Sequence, residues 1–182
     1  MEHKENQRVT LTKRLLKEGL LKLLRYRELE KINVSELCRV AGINRATFYK
    51  HYSIPRDVLL DLEQEIAEHL RSLAPIEQTE DTAKAYLADI CGYLYERREL
   101  IRILLRCKTE EELLNTISVS NRRFWSQFGG KREPGPDENS VKLAVTFYSS
   151  GAYYMIRQWL LEDVGKSPRE VAELIAKFVT KE

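Results

Sequence analysis

Apolar residues recur along this chain at three- and four-residue intervals nearly throughout, and no alternating stretch bounded by hairpin turns is found. The pattern predicts an all-α protein of about nine helices. Leu16, Leu20, Leu23 and Leu24 form the stripe of a first helix over Thr12–Arg25, with Gly19 inside it. Glycine costs about 1 kcal/mol there relative to alanine, so a close neighbouring helix is expected at Gly19. Met1–Arg8 is polar and expected to fray. Asn33 offers a side-chain oxygen to cap a short helix, Val34–Ala41, with Glu36 placed to complete a capping box. Gly42 ends that helix, and two residues later Asn44 can cap a third, Arg45–Tyr52. Ser53 and Pro55 open a fourth helix to about Ser72, with Val58, Leu59, Leu62, Ile66 and Leu70 as its stripe.

Beyond Pro75 the helices lengthen. Asp81 or Thr82 can cap a segment holding Tyr86, Ile90, Tyr93 and Leu94. A short helix follows over Arg98–Arg106, and Thr109 with Glu112 caps one reaching about Gln127. Gly129–Asn139 contains three Gly and two Pro and reads as a loop. Ser140–Asp163 is a long helix apolar on several sides, and a last helix carries Val171, Leu174, Ile175, Phe178 and Val179.

Composition narrows the class. Of 182 residues, 43% are hydrophobic and 32% charged, which excludes a disordered or collagen-like chain. No apolar run is long enough to cross a bilayer, and no secretory leader is apparent, so a cytoplasmic setting is expected. Cys38, Cys91 and Cys107 form no CxxC pair, and no disulfide framework or thiolate metal site is indicated. A redox role for Cys91 and Cys107 is left open.

The net charge of +2 hides an asymmetry. Residues 1–55 carry 12 Lys/Arg against 6 Asp/Glu, and residues 56–182 carry 18 against 22. A basic front on an acidic body suggests that one part meets a polyanion. Enzyme signatures are missing from the sequence. Its three histidines (His3, His51, His69) form no constellation with carboxylates, and there is no phosphate loop or nucleophile elbow. No enzyme activity, metal or cofactor is expected.

The informative stretch is Val34–Tyr52, VSELCRVAGINRATFYKHY. Helix, tight turn through Gly42, then helix is the geometry of a helix-turn-helix, whose second helix enters a major groove. Leu37, Ala41, Ile43 and Phe48 are spaced to form its core. Asn44, Arg45, Thr47, Tyr49, Lys50 and His51 remain to face outward, suited to phosphates and base edges. The same geometry also occurs in proteins that never meet DNA.

With Thr12 near the start of the first helix, Val34–Ile43, and above all Asn44-Arg-Ala-Thr-Phe-Tyr-Lys-His-Tyr52 followed by Val58-Leu-Leu60, the chain resembles the TetR family of bacterial transcriptional regulators (TetR/AcrR-like). The resemblance is strong over about residues 10–60. It implies a three-helix DNA-binding domain at 1–54 and a larger helical dimerisation and effector domain at 55–182. Tyr49 would give its hydroxyl to a phosphate. Thr12, Asn33, Lys50 and His51 would be further phosphate contacts, and Arg45 the base contact. Thr47 would touch a thymine methyl or a phosphate, or simply serve its own helix N-terminus. Many relatives carry a phosphate-binding Lys where Pro55 stands here, and Arg56 beside it is the expected substitute.

The excess apolar surface of the last two helices suggests a two-fold dimer. Val145, Tyr148, Ala152, Met155, Trp159, Leu174, Ile175 and Phe178 are the expected interface, and a palindromic operator the expected partner. The resemblance further implies an effector pocket, for which Tyr86, Tyr93, Phe124, Trp125, Phe128 and Tyr154 are candidates. Aromatic residues at such spacing are more often ordinary core. Repressor released by a small molecule is the favoured reading. The alternative is a helical dimeric interaction module or coregulator governed by a protein partner.

Overall fold

In the computed structural model the described residues are 2–74, 79–107, 137–162 and 164–179. Among them are eight α-helices, one 3-10 turn and no strand. The chain divides into two compact units, Met1–Ile66 and Ala67–Glu182. The helix expected over Thr109–Gln127 and nearly all of the expected loop Gly129–Asn139 lie outside the described residues.

In the first unit, α1 spans Glu2–Leu24, ten residues longer at its start than its apolar stripe predicts. The expected frayed tail is helical from Glu2. Its Glu, Lys, Gln and Arg are good helix formers, and they extend a helix without leaving any trace in hydrophobic periodicity. Leu16, Leu20 and Leu24 are buried. A Cβ added at Gly19 would lie 3.0 Å from Ala41 Cβ and 3.2 Å from its Cα and N. The glycine therefore lets α1 approach the backbone of α2 (Val34–Ala41), as expected from the sequence.

A 3-10 turn, Leu29–Lys31, leads into α2, and Asn33 Oδ1 accepts from the Glu36 N–H at 3.0 Å. Glu36 does not return the bond. Its carboxylate accepts from Arg27 at 3.0 Å, so half of the expected box is replaced by an ion pair. Gly42 takes φ 68°, the left-handed conformation that glycine adopts without a steric penalty. Asn44 Oδ1 then accepts from the Thr47 N–H at 2.7 Å and opens α3, Arg45–Tyr49.

Regular helix ends three residues short of the expected Tyr52. The chain instead turns, with the His51 and Tyr52 N–H groups both donating to the Phe48 carbonyl. Helix α4, Pro55–Ser72, follows; the Ser53 and Ile54 N–H groups donate to Asp57 Oδ2 at 2.7 and 3.0 Å. Val58, Leu59, Leu62 and Ile66 are buried as their spacing predicts, and Leu70 is half-buried.

In the second unit, α5 (Glu80–Glu96) starts earlier than expected. Its cap is Thr79, whose hydroxyl accepts from the Thr82 N–H while Thr82 Oγ1 accepts from the Thr79 N–H. Two threonines three apart make the box, a pairing hidden by the acidic Asp81 beside them. Helix α6 spans Arg98–Cys107, α7 Glu138–Leu161 and α8 Pro168–Val179. Asp137 caps α7, and Ser167 with Glu170 caps α8. Helix α8 lies along α5, and α7 packs on α6 and α8. Tyr86, Leu87, Cys91, Leu160 and Ile175 fill the centre. The Trp159 indole N–H donates to the Lys166 carbonyl at 2.8 Å, and its ring stacks on Tyr95.

Candidate nucleic-acid interface

Five residues of α3 set the site. Phe48 is fully buried, which fixes the rotation of the helix about its axis. Its neighbours on the rest of the helix then turn toward solvent. Asn44, Arg45, Ala46, Tyr49 and Lys50 are exposed, and Thr47 and His51 are half-buried. The Tyr49 ring meets Phe48 edge-on at 5.4 Å, so the exposed phenol stands on a buried base. Asn44 has its side-chain oxygen committed to the cap of α3. Thr47 supplies the N–H that Asn44 accepts.

The remaining candidates lie on other elements of the same unit. Thr12 is half-buried on α1, and Asn33 is the exposed cap of α2. Arg56, in the first turn of α4, donates to Glu30 at 3.1 Å. Both partners are solvent-exposed, and such a pair contributes about 0–1 kcal/mol, little enough to exchange for another anion.

Behind this surface lies a group of residues that hydrophobic spacing did not reveal. Lys17 is 7% exposed. Its Nζ lies 3.1 Å from Asp61 Oδ2 and 2.6 Å from Glu65 Oε1, both on α4. The same Asp61 oxygen accepts from Lys13 at 3.2 Å and from the Tyr52 hydroxyl at 2.5 Å. Burial alone would raise the Asp61 carboxyl, but the bonds from Tyr52, Lys17 and Lys13 outweigh it and hold Asp61 below the usual carboxylate range. Burial, then the Asp61 hydrogen bond, pushes the Tyr52 phenol far up. The sequence signal was present: a lysine on an apolar helix face needs a carboxylate nearby.

The second unit spreads its candidates. Tyr86 is buried in the centre, where burial pushes its phenol up to about 12. Tyr93 stacks on His69 at 4.1 Å and carries the Arg97 guanidinium at 4.0 Å. Tyr154 is exposed on α7 and meets Tyr153 edge-on. Phe124, Trp125 and Phe128 lie outside the described residues. Among the described residues no group of three His, Cys, Asp or Glu could hold a metal, and no helix is long and apolar enough to cross a membrane. Burial raises the Cys38 thiol, with Arg45 pulling it the other way, and raises Cys91 to about 12. Cys107 is half-buried.

Of the residues expected at an interface between copies, Val145, Tyr148, Ala152, Trp159 and Ile175 are buried within the single chain. Met155 and Leu174 are half-buried, and Phe178 is 67% exposed. The expected stripe on α7 is thus largely spent on the chain's own core. The reason is that α7 has two apolar faces, and composition does not say which one turns inward. The outward face carries Leu143 (73% exposed), Phe147 (74%), Tyr154 and Leu161. At 3.6 residues per turn these four fall within about 40° of one another, opposite the buried set.

Residues 81–181 match the family described as transcriptional regulator C-terminal region. The fold is similar to that of a TetR transcriptional regulator from Streptococcus agalactiae, with TM-score 0.74 and 18% identity over 98% of this chain and 99% of that one. It is also similar to the dihydroxyacetone kinase operon activator DhaS (TM-score 0.62, 14% identity, 92% of this chain and 93% of that one). A TetR-family transcriptional regulator from Syntrophomonas wolfei gives TM-score 0.62 and 13% identity over 92% of each chain. No curated protein matches the chain in sequence. The family match takes in more than half of the residues, and the protein belongs to the TetR family of transcriptional regulators.

Proposed function

We propose that this regulator binds a palindromic DNA operator as a homodimer and represses transcription by occupying a promoter, with residues 1–54 reading the DNA. The observation that carries the reading is α3. With the turn after it, α3 presents Arg45, Tyr49 and Lys50 to solvent around a buried Phe48, within a segment whose 12 basic residues outnumber 6 acidic ones. Arg45 would bridge guanine O6 and N7, and Tyr49, Lys50, His51, Thr12 and Asn33 would contact phosphates. Thr47 would meet a thymine methyl or a phosphate, and Arg56 would exchange Glu30 for a phosphate.

The outward face of α7 supports the dimer. Taking about 200 Å² for each fully exposed side chain, Leu143, Phe147, Tyr154 and Leu161 leave roughly 450 Å² of apolar surface in one stripe. That is over half of the ~800 Å² per partner in a standard interface, before Phe178 and the polar rim are added. A single helix crossing its own symmetry mate is self-complementary, so a second copy is the occupant. Two copies would set two α3 helices about 34–36 Å apart, one turn of DNA. An effector bound by residues 55–182, a small molecule or a protein partner, would alter that spacing. Tyr86, Tyr93, Phe124, Trp125, Phe128 and Tyr154 are the proposed pocket. DhaS bears the name of an operon activator, which favours keeping activation as a second reading. The site of action is the cytoplasm, with the DNA.

The test is selection of bound duplexes from a randomised pool, followed by titration of the winning duplex. Lys50→Ala should weaken all sequences alike and lower the slope of log K against log salt by about 1. Arg45→Ala should lose about 1–3 kcal/mol of discrimination at one operator position only. Enrichment of no sequence by the wild-type chain, or equal losses on every sequence for Arg45→Ala, would sink the reading.

A further inference from the structure

We infer that Asp61 is a positioning residue for the DNA-reading surface, acting through Tyr52; this rests on the DNA-binding reading above. Helix α3 is only five residues long, and the turn after it carries Lys50 and His51. The main-chain ties of that turn are the Lys50 N–H to the Thr47 carbonyl at 3.3 Å and the His51 and Tyr52 N–H groups to the Phe48 carbonyl, all back to α3 itself. It closes at Tyr52, whose ring lies 5.9 Å from Phe48 and whose hydroxyl donates to Asp61 on α4. Ring packing alone permits sliding, whereas a hydrogen bond to a charged oxygen fixes one direction.

Asp61 is itself held. Its Oδ2 collects three donors, Lys13 and Lys17 from α1 and Tyr52 from the turn, and Lys17 reaches on to Glu65. A partly buried ionic group of this kind adds little stability over an apolar replacement. What it adds is a single register between three elements. Tyr49, Lys50 and His51 all lie within three residues of the tether, so their placement depends on it.

The experiment compares two duplexes, the one recovered by selection from a randomised pool and a scrambled version of it, using the full chain. Tyr52→Phe keeps the ring and removes only the hydroxyl. It should weaken binding to the selected duplex about tenfold, the worth of a hydrogen bond to a charged group. Binding to the scrambled duplex, which asks only for charge, should stay within about twofold. Asp61→Asn should lower the same ratio, and the double variant should lose little more than either single one, because both act on one bond.

Circular dichroism at the assay temperature confirms that each variant is folded. If Asp61→Asn does not fold, Tyr52→Phe carries the test alone. Equal losses on both duplexes would make the network merely structural and overturn the inference, as would unchanged binding by Tyr52→Phe. A wild-type chain that enriches no duplex overturns the DNA reading and this inference together.

Discussion

Gly19 in α1 and Gly151 in α7 each sit well inside a long helix, where glycine costs about 1 kcal/mol relative to alanine. At Gly19 a Cβ would meet Ala41 at 3.0 Å, while at Gly151 nothing lies within 4 Å. The first glycine is explained by the chain's own packing and the second is not. Phenylalanines divide the same way: Phe48 is fully buried, and Phe147 is 74% exposed. In the first unit the large side chains of the helix-turn-helix core turn inward, and α3 offers charge and hydrogen bonds. In the second, α7 uses one apolar face for its core and shows another to solvent. A surface of the first kind suits a polyanion, and one of the second suits a protein. This chain thus carries two outward faces with different chemistry.

The comparison breaks most readily at Phe147. A glutamate there would face a like charge near the two-fold axis of the proposed dimer, in an apolar setting. Phe147→Glu should weaken self-association at least about 100-fold, roughly 3 kcal/mol, combining lost burial with a desolvated carboxylate. The chain should still fold, because Phe147 supports little of its own core. Sedimentation at micromolar concentration should show monomer. A dimer that persists would mean that the outward face of α7 is not where copies meet.

Gly19→Ala tests the other half. Helix propensity alone would stabilise by about 1 kcal/mol. Against this stand the Ala41 Cα and N at 3.2 Å. These are backbone atoms that cannot rotate away, and overpacking of this kind costs about 1–3 kcal/mol. The steric effect wins, and a net loss of about 1 kcal/mol is expected in denaturant unfolding. A gain would show that α2 gives way freely and that Gly19 has no packing role.

What could be read in the sequence divides along the same line. In the helix-turn-helix the caps and turns were legible because they depend on two or three neighbouring residues: Asn33, Gly42, Asn44 and Pro55 act where their chemistry places them, whereas the Thr79 cap of α5 was missed. The close approach at Gly19 was legible for another reason: glycine inside a helix carries a propensity cost that a tight neighbour accounts for, although the sequence did not name Ala41 as that neighbour. The helical start of α1 at Glu2 was not, since a polar helix has no apolar period to detect. The Lys17–Asp61–Tyr52 group was missed because Lys17 on α1 and Asp61 on α4 are joined only by tertiary packing. The two faces of α7 were both visible in its pattern. Which one faces inward depends on Tyr95, Lys166 and α8, which meet α7 only in the folded unit.

The smallest effect separates the two glycines most sharply, with Gly92 as a control. Gly92 lies inside α5, and a Cβ there also meets nothing within 4 Å. Gly92→Ala and Gly151→Ala should each gain up to about 1 kcal/mol of helix stability. Their effects on association should differ. Gly92 is not on the outward face of α7, so its replacement should leave the dimer constant unchanged. Gly151 is exposed between Phe147 and Tyr154 in the sequence of α7 and has open space where a Cβ would lie, so a second helix crossing there would come close and a methyl group at 151 should hold it off. Gly151→Ala should therefore weaken the dimer by up to about tenfold, in the range of a minor overpacking cost. Since dimer stability depends on concentration, melting has to be followed over a dilution series. Gly151→Ala should then melt higher than wild type when dilute and lose that advantage when concentrated. If both alanine variants keep their gain at every concentration, α7 approaches no partner at Gly151, and the contrast with Gly19 lies only in how tightly each helix packs within its own chain.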